Sequence, residues 1–456
     1  MSEWKKVKIG DVCKIVKGTT GIASAEPGKY PLVVTAVERK TCSTYQFDCE
    51  AVCIPLVSSS GHGKKSLNNV HFQSGKFALG TILCAVIPNN PDELDARYLH
   101  QYLQFYKDTV LVPLMKGAAN VSLSMKDIAG VSIPLPPITR QREMAEMFVT
   151  LQEKQKELFT EFEKQTEYAK QLRQNILQEA IEGKLTADWR KQHPVQKGNP
   201  DRDAQALFEQ IQNEKYHTDL FAPNGAHAKK AKSVSSEPIR VTRKEKTLPP
   251  ITEDEIPFEI PAGWKWVRLG EISESCLGKM LDGIKNQGVN RKYLRNLNVR
   301  WFSFDLSDLL EMRIKDDEFE RCSAHRGDLL ICEGGYPGRS AIWNEDYDMC
   351  FQKAIHRVRF YGLSDMPRLF NLFLFWLSES RKIEKYLTGE GIKHLTGVKL
   401  KQMILPLPPL AEQKEIVARI EQHLQTITQL ETQIAIRETT TKQLMQSILK
   451  DAFEEG

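Results

Sequence analysis

Two stretches of this chain carry side chains able to grip a polyanion. In Ser58 to Asn69, SSSGHGKKSLNN, small residues surround His62, Lys64 and Lys65, a pattern that lets backbone amides and cations lie along phosphates. Ser58, Ser59 and Ser60 add hydroxyls, and a second small-residue loop, MKGAANVSLS, adds Lys116 and Asn120. Further along, Arg295, Asn296, Asn298, Arg300, Tyr336, Arg339, Gln352, Lys353 and Arg357 include the types that read base edges or hold phosphates. On composition alone the first loop reads equally as a solvated surface loop, and part of the second set must serve internal hydrogen bonds.

No catalytic set accompanies these residues. The serine loop is not a Walker A loop, because Ser58 stands where the first glycine belongs and Lys65 follows Gly63-Lys64 where Ser or Thr is required. Asn90-Pro91 continues into Asp92, which is not the Asn-Pro-Pro-aromatic motif of amino-methyltransferases, and Glu333 is followed by two glycines rather than by a nuclease-like acidic partner. Nine cysteines are scattered without a CxxC pair, and Cys49 and Cys53 lack the second pair that would complete a zinc set. The expectation is no catalytic residue, no metal and no cofactor in this chain.

The elements that must position the candidate residues are duplicated. Ile133 to Gly183 and Leu405 to Gly456 each read as a proline-stopped strand running into a long helix. Pro134 matches Pro406, Gln141 matches Gln413 and Ile176 matches Ile448, so the offset is 406 − 134 = 272. Ile420, Ile427, Ile434, Thr441 and Ile448 recur every seven residues, beside Leu430, Arg437 and Leu444. Their counterparts are Phe148, Gln155, Phe162, Ala169 and Ile176, beside Leu158, Gln165 and Leu172. Each helix has a seam too narrow to stand alone, which predicts that the two pack on each other as a coiled coil about 65 Å long. A second repeat joins WKKVKIGDVCKIVKG at Trp4 to WKWVRLGEISESCLGK at Trp264, at an offset of 264 − 4 = 260. Each half is thus a repeated frame around a segment that differs from its counterpart, as suits two different binding surfaces in one geometry.

The expected fold class is α+β: two β-rich target recognition domains separated by two long helices packed as an antiparallel coiled coil, with an internal pseudo-two-fold repeat. The domains run 1–137, 138–190 for the first spacer helix, 191–258 for a linker with a short helix near Arg202 to Tyr216, 259–405, and 406–456 for the second spacer helix. The linker's low hydrophobicity and its Lys229, Lys230 and Lys232 read as flexible spacer. Of 456 residues, 27% are charged and the net charge is +4, which permits nucleic-acid binding without requiring it. The N-terminus lacks the apolar core of a signal peptide and no run approaches a membrane span, so the expected location is the cytoplasm, away from any membrane.

Taken together, the paired LPLPPxxxQxE openings at Leu135 and Leu407, the QxILxxAxxG helix ends from Gln174 and Gln446, and GDLLxxEGGxxGR from Gly327 to Arg339 resemble the specificity subunit of type I restriction-modification enzymes. The likeness covers nearly the whole chain in the family's order. It implies two domains that each read half of an interrupted double-stranded DNA target, and helices that dock two modification subunits and two restriction/translocase subunits. S-adenosylmethionine for adenine-N6 methylation, ATP and Mg would then reside on those partners. Two alternatives stand beside this reading: a coiled-coil scaffold whose β lobes bind proteins, and a self-contained DNA nuclease or methyltransferase.

Overall fold

The computed structural model describes residues 4–60, 63–221, 248–282, 284 and 286–454. His62 and the lysines at 229, 230 and 232 lie outside them. The chain divides into two compact units, residues 1–165 with 433–456, and residues 166–432. Two helices, Ile138–Ile181 and Leu410–Glu454, contribute to both units.

In the first unit Lys6–Lys8 pairs antiparallel with Ser132–Pro134. One four-stranded sheet runs in the order Cys13–Lys17, Leu83–Pro88, Ala51–Pro55, His71–Gln73. A second runs Lys40–Cys42, Tyr30–Val33, Lys76–Leu79, Phe47–Asp48, with Leu32 and Val33 parallel to Ala78 and Leu79. Strand Ala51–Pro55 is buried throughout, so it reads as a continuous apolar run rather than an alternation.

The second unit repeats these three sheets and adds a short hairpin, Val299–Arg300 with Ser303–Phe304. Lys265–Arg268 pairs with Ile404–Leu407. One of its four-stranded sheets runs Ser273–Leu277, Ile355–Phe360, Leu329–Cys332, Ser340–Ile342. The other runs Leu310–Ile314, Val289–Leu294, Met349–Phe351, Ser323–Ala324. The segments that differ in sequence therefore share one topology. Ile54 faces Cys84 and Ile331 faces His356, so these strands stand at 331 − 54 = 277 and 356 − 84 = 272. The repeat starts at 260, gains 17 residues before Leu329–Cys332 and loses five after it, which hides the likeness from any single-offset alignment.

Each long helix packs antiparallel on the other. In the first unit the ring of Phe148 lies 5.0 Å from that of Phe453, and Lys442 Nζ sits 5.1 Å over Phe159. In the second, Arg173 Nη2 meets Glu431 Oε2 at 2.8 Å and Ala169 and Ile176 cluster with Ile427. Partner numbers rise on one helix as they fall on the other. The register led by Ile420 and Phe148 is buried at Phe148, Phe162, Ala169, Ile176, Ile420 and Ile427. The adjoining leucines are not: Leu158, Leu172, Leu430 and Leu444 are 44–58% exposed.

The segment after the first long helix is folded onto the second unit. Glu412, 1% exposed, accepts Thr186 Oγ1 at 2.6 Å and Trp264 Nε1 at 2.7 Å, and pairs with Arg190. Helix Ala204–Phe221 buries Leu207 and Ile211 in the same core. At the re-entry, Arg268 donates to the carbonyls of Pro249, Pro250 and Gln402 and to both oxygens of Glu255.

Candidate nucleic-acid interface

The two small-residue loops of the first unit are laced into one surface. Lys116 and Ser122 exchange backbone hydrogen bonds at 2.8 Å each, closing a hairpin whose Gly117 has φ +123°, and a Cβ there would lie 2.2 Å from Asn120 O. Across from it, Ser58 N donates to Val121 O at 3.0 Å and Gly63 N to Ala119 O at 3.3 Å. The predicted serines spend their hydroxyls on their own loop. Ser58 Oγ donates to Lys64 O at 2.6 Å and accepts from Ser66 N at 3.2 Å, Ser59 Oγ accepts from Asn68 N at 3.0 Å, and Ser60 Oγ lies 2.7 Å from Ser66 Oγ. These bonds fix the loop and leave Lys64 and Lys65 exposed beside Asn120. Lys116 is also exposed, 3.3 Å from the Asp127 carboxylate.

The second unit builds the same pair of loops from different residues. Thr388 and His394 exchange backbone hydrogen bonds at 2.9 Å, and Gly389 has φ +103°. Leu395 N donates to Glu333 O at 2.8 Å, as Leu123 N donates to Leu56 O at 2.9 Å in the first unit. This hairpin is the element that the site prediction lacked. It was within reach: LTGEGIKHLT at 387 lies 387 − 115 = 272 from MKGAANVSLS, with Gly389 on Gly117, Leu395 on Leu123 and Thr396 on Ser124. Ser124 and Thr396 both cap the next short helix, accepting from Asp127 N and Lys399 N. Of the hairpin, Ile392 is 74% exposed and Lys393 is exposed, while a Cβ on Gly334 would lie 2.9 Å from the His394 ring.

The remaining predicted residues of this unit divide by how their polar groups are used. Asn298 is fully buried, and its side chain accepts from Arg295 N and donates to the carbonyls of Asp305 and Asp308. Arg357, 3% exposed, donates to the carbonyls of Glu320 and Ser323 and reaches Glu274. Arg295 pairs with Asp308 at 2.6 Å. Arg339 is 9% exposed, gripping Asn296 O at 2.9 Å with its guanidinium 4.1 Å from the centre of the Tyr336 ring. Tyr336 itself is 65% exposed, so this stack presents the ring rather than the cation. Asn296 Nδ2 donates to Gly334 O at 3.2 Å. Arg300 and Lys353 are exposed, Arg300 lying 3.5 Å from Asp305, and Gln352 is half-buried at the end of strand Met349–Phe351.

The cysteines show no sign of activation. Burial pushes Cys332 and Cys350 up to about 11 and Cys13 and Cys84 up to about 12, so these thiols stay protonated and weakly nucleophilic. Among the described residues no group of three or more His, Cys, Asp or Glu side chains could hold a metal ion, and no helix is long and apolar enough to cross a membrane.

Comparisons with known proteins bear on the family and the fold. The family model described as the type I restriction modification DNA specificity domain matches residues 1–168 and 261–437. The EcoAI specificity subunit of Escherichia coli is 27% identical over 62% of this chain, and the EcoDI specificity subunit of the same species is 22% identical over 99% of it. The matched region spans 44% of the EcoAI subunit and 88% of the EcoDI subunit. Among solved structures, a chain from work on complex assembly and conformational transition of the type I R-M system superposes with a TM-score of 0.60 at 17% identity, covering 100% of this chain and 98% of that one. The HsdS subunit from Thermoanaerobacter tengcongensis gives 0.55 at 17% identity, covering 100% and 97%.

Proposed function

Since this chain belongs to the type I restriction-modification DNA specificity family, we propose that it reads an interrupted, two-part sequence in double-stranded DNA for a complex whose chemistry is done by other subunits. The observation that carries this is the repeated loop pair. Two domains of one topology present a strand-end loop and a glycine-closed hairpin at the same place, built from Lys64, Lys65 and Asn120 in one case and from Tyr336, Ile392 and Lys393 in the other. The first set is suited to phosphates, and the second offers a ring, one apolar side chain and one cation to the DNA.

The exposed leucines support the partner side of the reading. Leu158 and Leu444 belong to the first unit and Leu172 and Leu430 to the second, and 430 − 158 = 444 − 172 = 272. The helix pair therefore carries one apolar patch in each unit, related by the repeat, which suits two copies of a modification subunit. S-adenosylmethionine would be bound by those copies, and ATP and Mg by two restriction/translocase subunits where these are present.

The test is genome-wide mapping of methylated adenines in cells carrying this chain with its neighbouring modification subunit, against cells lacking the chain. One interrupted motif that vanishes with the chain is expected. An active modification subunit that marks no motif would sink the reading and favour the protein-binding scaffold.

A further inference from the structure

The repeat also shows where the two units differ without need of DNA. In the first, Phe453 at the end of the second long helix is ringed by Tyr98, Tyr102, Phe105, Tyr106 and Phe148 at centroid distances of 5.0–5.9 Å. Burial, together with the neighbouring Glu454 carboxylate, pushes the Tyr106 phenol above its ordinary range. In the second unit the matching positions, at 272, are Ile181 for Phe453, Ser378 for Tyr106 and Glu182 for Glu454. Two large rings are replaced by smaller side chains, and in the same unit Glu182 lines a cavity of about 480 Å³.

The lining of that cavity has a definite chemistry. One wall is aromatic: Phe258 and Trp266, both half-buried with centroids 5.0 Å apart, face a group that includes Trp376 and Tyr386. Its rim carries Arg381, Lys382 and Lys385, where the first unit has the uncharged Thr109, Val110 and Pro113. None of the three is in an ion pair among the described residues; Lys382 Nζ lies 4.2 Å over Trp376 and Lys385 Nζ 4.8 Å over Tyr386. The acids nearby are already engaged. Glu182 pairs with Lys184 at 2.5 Å and accepts from Gln178 at 2.8 Å, and Glu255 is held by Arg268. Lys385 is pushed below its ordinary range by burial and by neighbouring Lys382, which marks a place where an anion would relieve crowded positive charge.

We propose that this cavity binds a nucleoside phosphate, its base against the Phe258 and Trp266 wall and its phosphates at Arg381, Lys382 and Lys385. Three cations call for a multiply charged anion, the rings call for a flat partner, and the volume lies within the usual range for small-ligand sites, about 300–1,000 Å³. A monocarboxylate would leave the cations underused, and an apolar ligand would bury them unpaired. A free nucleotide and a nucleotide within a single strand share this chemistry.

The test is titration of the full chain with ATP, AMP, adenosine, inorganic pyrophosphate and a short single-stranded oligonucleotide, followed by calorimetry and by quenching of tryptophan emission. Saturable binding of ATP at one site per chain is expected, weaker for AMP and at least tenfold weaker for adenosine and for pyrophosphate. The double substitution Lys382→Ala and Lys385→Ala should weaken ATP at least tenfold, and Phe258→Ala, which removes one ring of the cavity wall, should weaken ATP at least tenfold while leaving pyrophosphate and the unfolding temperature unchanged. Tighter binding of the oligonucleotide than of ATP, lost in the same variants, would assign the site to a nucleic-acid strand. Pyrophosphate binding as tightly as ATP, or ATP binding unaffected by both variants, or no binding of any nucleotide, would each overturn the proposal.

Discussion

Gln141 and Gln413 occupy matching positions at the starts of the two long helices, both fully buried, yet they should respond very differently to the same substitution. Gln141 accepts from Asp95 N at 2.9 Å and donates to Glu93 O at 2.9 Å and Pro136 O at 2.8 Å. Gln413 donates to Pro408 O at 2.8 Å, and its Oε1 has no hydrogen-bond partner among the described residues. The repeat explains the loss: the counterpart of Asp95, at 95 + 272, is Pro367, which has no N–H to give.

Replacing Gln141 by methionine keeps the shape and removes three hydrogen bonds, each worth about 1 kcal/mol net, while stranding a buried N–H. A loss of about 3–4 kcal/mol follows. The same change at Gln413 removes one such bond but also removes a buried, unsatisfied oxygen whose desolvation costs about 1–3 kcal/mol, so the effect should be within about 1 kcal/mol of zero. For units of this size each kcal/mol moves the melting temperature by about 2–4 °C, and calorimetric melting of the full chain should separate the variants by about 6–16 °C. Pro367→Ala restores a donor at that position, and Gln413→Met should become destabilising in its background. Equal losses in the two single variants, or no change of Gln413→Met on the Pro367→Ala background, would refute the reasoning.

Other outcomes follow from the same structure. His71, 5% exposed, is pushed down to about 4 by burial and by Arg39, so it stays neutral in the folded state while the unfolded chain takes up a proton near pH 6.5. Stability of the first unit should therefore fall as pH drops from about 6.5 to about 4, by up to about 1.4 kcal/mol per pH unit, and pH-dependent unfolding of His71→Gln should lack that component. Arg268, 2% exposed, should cost about 3–5 kcal/mol as Arg268→Met, measured by denaturant unfolding, because Glu255 loses its partner and three carbonyls lose their donor. Lys64→Ala with Lys65→Ala should lower the slope of log affinity against log salt by about 2 in DNA titrations, with little change in sequence preference. If the proposed docking of two modification subunits holds, Leu172→Asp with Leu430→Asp should leave melting unchanged and reduce the bound copies from two to one by mass measurement.

How much of this was legible beforehand depended on where the sequence repeats itself. The long helices announce themselves because Pro134 and Pro406, Gln141 and Gln413 keep one offset, and a seven-residue seam has few other solutions. The recognition domains do not, because two length changes of 17 and five residues break the register around Leu329–Cys332, and the hairpin Val299–Arg300 with Ser303–Phe304 is added in the second unit, even though both four-stranded sheets recur. Side-chain type was a poor guide inside those domains. Asn298 and Arg357 have the donors of base-reading residues, but a buried loop crossing also needs donors for its carbonyls, and that need is met first. Composition cannot separate the two uses, since both select the same residues.

The repeat separates them where composition fails. A polar side chain whose hydrogen bonds recur in both units is holding the shared frame, as Ser124 and Thr396 do at their helix caps. A polar side chain present in one unit alone, on a backbone that both units share, is free of that duty: Lys64 and Lys65 on one strand-end loop, Tyr336 on the other. The hairpins make the same point within ten residues, for Gly117 and Gly389 are common while Asn120 and Ile392 differ, so the turn is held constant and what it presents to a ligand is what changes. A shared turn that presents different side chains is what the proposed reading of two unlike half-sites requires, and a protein needing one surface twice would have kept the two hairpins alike.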